Sequence, residues 1–317
     1  MILLILLPFV LALCPEHSQN RSRDARPLIV TNPCEITEPG FPNRFRSLHN
    51  LTPSLHASAS GQLCPSRDLK PFLEFMRERV GGKWPAVIID LRLEAHAFAG
   101  DEPIAWYCPR NWELLGRSGN EIKQVEWKRV NELRGKPIAL YSLPKCKDDL
   151  GLDDCAISNP NPIKVLSENT VLYTEEEWCA RMGLRYYRLA IPDHMRPPDG
   201  VIEEFIRIFK KESSLARRNR AKAPWFHLHC KGGKGRTSTF LAMLDILSNP
   251  ELSFDQIVAR QEHFNLKDTE KKGQSWKAEF AKDRLDFLRH FYRFAHLKVR
   301  SSWTEFRRDE SDLKQFL

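Results

Sequence analysis

One short stretch constrains this chain more than any other: His229-Cys230-Lys231-Gly232-Gly233-Lys234-Gly235-Arg236-Thr237. The apolar run from Trp225 to His229 reads as a strand, and Phe240, Met243, Leu244 and Leu247 mark the buried stripe of a helix, so the stretch turns a strand into a helix. A helix start presents unpaired N–H groups and the positive end of the macrodipole, so a loop wound there can hold a phosphate. Glycine occupies three of the five positions between Cys230 and Arg236, which lets the backbone curl its amides inward as an anion-binding nest. Arg236 adds a planar fork matched to two phosphate oxygens. The same field stabilises negative charge on the Cys230 sulfur, and the thiolate is the nucleophilic form.

Spacing alone does not single out this site, because Cys179 and Arg185 have the same separation. That pair lacks the glycines and the preceding histidine, and it starts inside a predicted helix. A nucleotide-binding phosphate loop needs Gly-Lys followed by Ser or Thr, whereas here Gly235 is followed by Arg236 and Thr237.

Elsewhere the pattern alternates between strands and helices. Leu69, Phe72, Met76 and Val80 recur at helical spacing, and Ala86 to Ile89 reads as a strand ending at Asp90. From Leu93 to about Val171 the periodicity loosens into aromatic and polar pieces with short strand-like runs such as Ile138 to Leu143, the mark of an inserted subdomain. Thr174 with Glu177 forms a capping box, Leu184 to Ile191 reads as a strand, and Asp199 is placed to cap a helix carrying Ile202, Phe205, Ile206 and Phe209. Ser253 with Gln256 opens another helix, and a long one is expected from about Gln274 to Ala295. No internal repeat interrupts this order, so the fold class is α/β, a sheet flanked by helices.

Hydrophobic residues at 42% and charged residues at 28% exclude a disordered chain and a membrane-embedded body. The formal charge of +8 and a pI near 9.1 favour anionic partners without choosing among them. Lys210-Lys211 and the run from Arg217 to Lys222 lack interleaved aromatics, so they read as a solvated helix end and no nucleic-acid partner is expected. The opening MILLILLPFVLAL has signal-peptide length and is too short to span a bilayer, so residues 1–14 read as a signal peptide or lipoprotein signal. A secreted or periplasmic protein is expected, with lipid anchoring through Cys14 as a variant. Setting aside Cys230 and Cys14 leaves Cys34, Cys64, Cys108, Cys146, Cys155 and Cys179, an even set that permits disulfides; the favoured pair is Cys146 with Cys155, with free thiols as the alternative.

The HCKGGKGRT stretch resembles the active-site signature of the protein tyrosine phosphatase superfamily. With NRFRSLHN, HASASGQ, IIDLRLEAHAF, IAWYCPRNW, RYYRLAIPDH, SWKAEF and FLRHFYRF, the chain resembles the bacterial tyrosine-phosphatase-like inositol phosphatases, or cysteine phytases, over most of Phe41 to Phe294. The resemblance implies a phosphatase core over 41–92 and 172–297, and a small partial β-barrel subdomain over 93–171. Residues 15–40 are left as a flexible leader and 298–317 as a C-terminal tail.

It also implies roles. Cys230 becomes the nucleophile, Arg236 the phosphate clamp, and the loop residues Lys231, Gly232, Gly233, Lys234 and Gly235 the phosphate cradle. Asp193 matches the family's general acid on a mobile loop, and the chemistry asks for one because an inositol alkoxide leaves poorly unless its oxygen is protonated. His194 contacts substrate phosphate or is a plain turn histidine. Arg92 faces the pocket from another strand end or is a solvated charge, and Lys277 matches a phosphate-contacting lysine only softly. Thr237 is expected to donate its hydroxyl to the sulfur, and His229 to order the loop by hydrogen bonding. Lys231 and Lys234 depart from the usual phytase loop towards that of phosphoinositide phosphatases and favour a polyphosphorylated ring. No cofactor or metal is implied. The expected partner is a polyphosphorylated small molecule, with a phosphoprotein or phosphoinositide as alternatives.

Overall fold

Val87 and Ile89 point to one side of a sheet and Ile88 to the other, and that alternation divides the hydrophobic core in two. The structure, a computed structural model, describes residues 28–31, 39–50, 55–65, 69–80, 85–142, 161–219, 223–261, 276–297 and 302–315. Residues 1–14 and the Cys146–Cys155 pair lie outside the described residues.

The first half contains strands β1 (Ile29–Thr31), β2 (Arg46–Ser47) and β3 (Ala57–Ser60), helix α1 (Lys70–Val80), and strands β4 (Val87–Asp90), β5 (His96–Ala99) and β6 (Glu102–Trp106). Helix α2 (Gly119–Leu133), strands β7 (Ile138–Leu140), β8 (Lys164–Leu166) and β9 (Leu172–Tyr173), and helix α3 (Glu175–Arg181) follow. Strand β10 (Arg185–Arg188), helix α4 (Asp199–Arg218) and strand β11 (Phe226–His229) lead into helices α5 (Gly235–Ser248), α6 (Phe254–Ala259), α7 (Trp276–His296) and α8 (Trp303–Gln315).

The central sheet has five strands in the order β10-β4-β11-β3-β2, with β10, β4, β11 and β3 mutually parallel and β2 antiparallel at the edge. Parallel pairing sends all four strands to the same edge. Register there aligns Arg188 with Asp90, Asp90 with His229, and His229 with Ser60. Loops leaving the carboxyl ends of parallel strands are where such sheets build sites.

On one face Ala57, Ala59, Val87, Ile89, Phe226 and Leu228 pack under α4, α5 and α7; on the other, Ile88 and Trp225 meet Phe72 and Met76 of α1 and Trp178 of α3. Helix α5 is buried along nearly its whole length, including Arg236, Thr237, Ser238 and Thr239 in its first turn. The inserted segment's β5 and β6 form the middle of an antiparallel sheet, β1-β6-β5-β9, backed by α2, and a barrel is not established by it. Both capping boxes expected at Thr174/Glu177 and Ser253/Gln256 are present, and α2 carries a third at Ser118/Glu121.

Several expectations need correcting. Residues 15–40, expected to be a flexible leader, supply β1: the β-branched run Ile29-Val30-Thr31 pairs with β6 and buries Val30. Residues 298–317, expected to be a tail, contain α8, whose Trp303 is fully buried against Phe287, Phe291 and Phe294 of α7. Burying one such side chain stabilises by about 1.5–3 kcal/mol, enough to hold a short helix in place. Asp199 does not cap α4; Pro198 holds that position without a side-chain bond, and Asp199 Oδ1 instead accepts from Trp303 Nε1 at 2.9 Å. Among the cysteines for which disulfides were open, Cys64 is disulfide-bonded, whereas Cys108 and Cys179 are buried thiols outside any disulfide.

Candidate active site

Cys230 follows the last residue of β11 in the middle of the sheet, and Arg236 lies in the first turn of α5. The loop between them is held from outside by its carbonyls. Gln62 N–H donates to the Lys231 carbonyl at 3.1 Å, Arg44 Nη1 to that of Gly232 at 3.0 Å, and Arg46 Nη1 to that of Gly233 at 3.0 Å. In a trans peptide the N–H points opposite to the carbonyl, and cis bonds are absent among the described residues. The amides of Gly232, Gly233 and Lys234 are therefore turned away from these partners, which is the nest expected of the glycine-rich stretch. Gly233 is required there: its φ is +67°, and a Cβ would stand 2.5 Å from the Gly61 nitrogen.

Arg236 is 3% exposed, and its guanidinium is gripped by Glu94, Nη1 to Oε2 at 2.7 Å and Nη2 to Oε1 at 3.1 Å. Glu94 takes a second arginine as well, Arg92 Nε at 3.0 Å. Burial alone would raise the Glu94 carboxyl, but Arg236 and Arg92 hold it well below the usual carboxylate range. Arg92 is fully buried, so it is not a solvated charge. The clamp leaves two buried guanidinium nitrogens, Arg236 Nε and Arg92 Nη2, with no hydrogen-bond acceptor. Arg236 Nε stands 3.3 Å from Asp193 Oδ1 in an ion pair.

Asp193 sits on the loop after β10 and is anchored from the inserted segment: Asn111 Nδ2 donates to its Oδ2 at 3.1 Å and Trp112 Nε1 to its carbonyl at 3.0 Å. His194 next to it has φ +69° and donates its backbone N–H to Asp193 Oδ1 at 3.1 Å. Its carbonyl accepts from Arg284 Nη1. Burial, with the positive charges of Lys277, Arg236 and Arg284, pushes the His194 ring below its ordinary range against the pull of Asp193. Lys277 is exposed in the first turn of α7, and its charge is felt at His194.

Lys231 is partly buried among Arg92, Glu94, Asp193 and Arg236, and burial, with the Arg92 charge, lowers its ammonium from the ordinary value. Lys234 is exposed at the cap of α5, so only one of the two loop lysines stands among these side chains. Thr237 departs from expectation: its buried hydroxyl is directed to the Ser60 carbonyl at 3.5 Å rather than to the sulfur. His229 departs too. Its Nε2 lies 2.6 Å from Glu175 Oε1 on the floor beneath the loop, a close charge contact without hydrogen-bond alignment.

Cys230 is buried, and part of its surroundings is the apolar face under α5. Cys230 nonetheless contributes to the electrostatic surroundings of both Arg236 and Arg284. The decoy cysteine differs: burial and the Glu175 carboxylate push the Cys179 thiol well above its ordinary range, and Arg185 is bound to Glu212.

Sequence reasoning left Glu94, Asn111, Trp112, Arg44, Arg46, Glu175 and Arg284 without roles. All but Glu175 and Arg284 lie inside segments quoted for the resemblance, so their positions were marked while their contacts were not. Arg284 has no local signal. Its guanidinium lies 3.5 Å from where a Gly235 Cβ would stand, and its buried Nε has no hydrogen-bond acceptor.

A cysteine, a clamped arginine and a carboxyl-bearing loop around the start of a buried helix define a site built for an anionic phosphorus centre. A family model for the PTP-like phytases, described by inositol hexakisphosphate, matches residues 89–248, and the chain belongs to that family. The chain is 29% identical over 241 residues to the effector protein hopD2 of Pseudomonas syringae pv. tomato, covering 73% of this chain and 48% of that protein. It is similar to the tandemly repeated protein tyrosine phosphatase like phytase from Mitsuokella multacida, with a TM-score of 0.71 and 25% identity over 90% of this chain and 50% of that one. A PTP-like myo-inositol phosphatase from the same organism, in complex with myo-inositol-(1,3,4,5)-tetrakisphosphate, gives a TM-score of 0.69 at 24% identity, with the same coverage. The chain thus spans about half the length of these relatives.

Proposed function

We propose that this protein is a cysteine-dependent phosphomonoesterase that removes phosphate from inositol polyphosphates through a cysteinyl-phosphate intermediate. The observation that carries this reading is the pair of buried, acceptor-less guanidinium nitrogens, Arg236 Nε and Arg92 Nη2, joined through Glu94 beside Cys230. Buried donors in native structures are paired, and a phosphate oxygen supplies the missing acceptor.

In the first step the Cys230 sulfur attacks phosphorus in line, the S–P bond forms as the P–O ester bond breaks, and the loop amides with Arg236 hold the equatorial oxygens. Asp193 gives its proton to the departing alkoxide oxygen. An arriving phosphate takes Arg236 Nε from Asp193 and so releases that carboxyl from its ion pair. In the second step Asp193, now a carboxylate, takes a proton from water as the water oxygen attacks phosphorus; the S–P bond breaks, inorganic phosphate is released, and the thiolate and the protonated acid are regenerated.

A polyphosphorylated ring is favoured because Lys231, Lys277 and Arg284 add positive charge around Arg236, Asp193 and His194, more than a single phosphoryl group needs. The inositol tetrakisphosphate complex of the Mitsuokella phosphatase supports the same choice. Export, read from residues 1–14, is part of this proposal.

The test is phosphate release by wild type and Cys230→Ser on inositol hexakisphosphate, a phosphoinositide in vesicles and a phosphotyrosine peptide, without added metal. The inositol polyphosphate is expected to give the highest kcat/KM, and the variant to lose at least about a thousandfold. Undiminished release by the variant refutes the nucleophile, and preference for the peptide or the vesicle overturns the substrate class.

A further inference from the structure

On the face of the sheet opposite the Cys230 side chain lies a buried charge cluster that the two chemical steps leave unused. Arg188, Asp90 and His229 stand in one row across β10, β4 and β11. Arg188 Nη1 is 2.5 Å from Asp90 Oδ2, which also accepts from Tyr186 at 2.9 Å, and Arg188 Nη2 is 2.8 Å from Glu126 Oε1 of α2. His96 of β5 enters the same cluster. Its Nδ1 lies 3.1 Å from the Glu94 carbonyl oxygen and 3.2 Å from Glu126 Oε1, and its Nε2 lies 2.9 Å from Glu175 Oε2 and 3.2 Å from Asp90 Oδ2.

His96 Nε2 therefore faces two carboxylate oxygens, while Nδ1 lies beside the Glu94 carbonyl, Glu126 and, at 3.3 Å, the donor Arg188 Nη2, so Nε2 carries a proton in the neutral and the charged ring alike. Burial and Arg92 push its charge off, but Asp90 and Glu126 outweigh them and bring it up to about 10. Asp90, Glu175 and His229 place ligand-type atoms within 4.8 Å of one another. Arg188 and His96 already supply positive charge there, so the cluster is an ion-pair network rather than a metal centre.

Glu175 is the member that touches the catalytic loop. One of its oxygens serves His96, and the other lies 2.6 Å from His229 Nε2. Burial would raise this carboxyl, yet the His229 charge brings it down to about 2. It sits in the first turn of α3, behind the Thr174 capping box, where the helix dipole favours a negative charge. His229 directly precedes Cys230, and alternation along β11 sends the imidazole to the floor and the sulfur to the opposite side. The tilt of the imidazole is thus one peptide away from the position of the nucleophile.

We propose that Glu175 is a positioning residue for the reaction: a single carboxylate shared by His96 and His229 locks the end of β11 and so the placement of the Cys230 sulfur. This rests on the reading of Cys230 as nucleophile.

Glu175→Gln is the test, because an amide offers one acceptor oxygen and can serve only one of the two histidines. Two readouts are taken: steady-state kinetics on inositol hexakisphosphate, and the rate at which iodoacetamide alkylates Cys230 at mildly acidic pH, which needs no substrate. The expected result is a loss of about tenfold in kcat, with KM within about twofold, and alkylation slowed by a similar factor, since small misplacements of a reacting group cost rate rather than binding. Glu175→Asp, which keeps both oxygens on a shorter stem, is expected to fall between the two.

A folded Glu175→Gln protein with wild-type kcat and alkylation rate would overturn the proposal. If that variant does not fold, ring-nitrogen NMR of the wild type decides: protons on Nε2 of both His96 and His229 are expected, and a His229 ring bare at Nε2 overturns the sharing. A wild type whose Cys230 resists alkylation altogether would instead bring down the nucleophile reading. Alkylation that responds to Glu175→Gln without activity on inositol hexakisphosphate would bring down only the substrate.

Discussion

Glu94 grips Arg236 with both carboxylate oxygens and leaves the Nε of that arginine facing Asp193 at 3.3 Å. One carboxylate thereby decides which edge of the guanidinium is spent on structure and which is kept for substrate.

Replacing Glu94 with Gln leaves Arg92 and Arg236 sharing one neutral acceptor inside the protein. Breaking a buried ion pair from one side costs about 3–5 kcal/mol, so a clear fall in the urea midpoint is expected. Turnover should fall about a hundredfold as the guanidinium loses its fixed orientation. Urea unfolding and phosphate release on the same preparation check both, and a variant with wild-type kcat/KM would show that the clamp is dispensable.

Asp193→Asn removes a proton donor, so its effect should depend on the leaving group. On an inositol phosphate kcat is expected to drop about a thousandfold, whereas on p-nitrophenyl phosphate, whose phenolate departs without help, the drop should be much smaller. Equal losses on the two substrates would mean that Asp193 acts by some other route.

Arg284 presents a half-buried charge beside Gly235 and ties α7 to the His194 carbonyl. Arg284→Ala is expected to raise KM for inositol hexakisphosphate roughly tenfold, the value of one charge-assisted hydrogen bond, with Arg284→Lys recovering part of it. Unchanged KM in the alanine variant would assign the arginine to packing.

Stability should pass through a maximum in mildly acidic solution. Glu175, lowered in the fold to about 2 from an ordinary 4.5, stabilises fully above 4.5, and that contribution is lost as pH falls through about 2. His96, raised to about 10 from an ordinary 6.5, stabilises fully below 6.5, and its contribution is lost as pH rises through about 10. Urea midpoints across this range should therefore decline on both sides of the interval between 4.5 and 6.5. Flattening of the alkaline limb in His96→Gln would assign it to that residue, and a midpoint still climbing in alkaline solution would contradict the assignment.

Much of the site could be read before any fold was known, and the rest could not. HCKGGKGRT reveals itself because a strand-to-helix turn, its glycines and its arginine are neighbours in sequence, and local geometry follows from local residue types. Short or lone amphipathic pieces misled: the Ile29-Val30-Thr31 strand sat in a polar stretch, and Trp303 with Phe306 made too brief a stripe to reveal α8.

Residue order alone determined the anion-binding loop, both expected capping boxes and the α/β alternation, because each rests on contacts within a few positions along the chain. Only the tertiary structure decided that Glu94 faces Arg236, that Glu175 lies under His229 and that Arg284 closes over Gly235. Those partners are far apart in the chain, and an isolated carboxylate or guanidinium looks the same whether it ends in water or in a core. What selects the partner is the cost of burying a charge alone, and that cost arises only once the sheet and helices have come together.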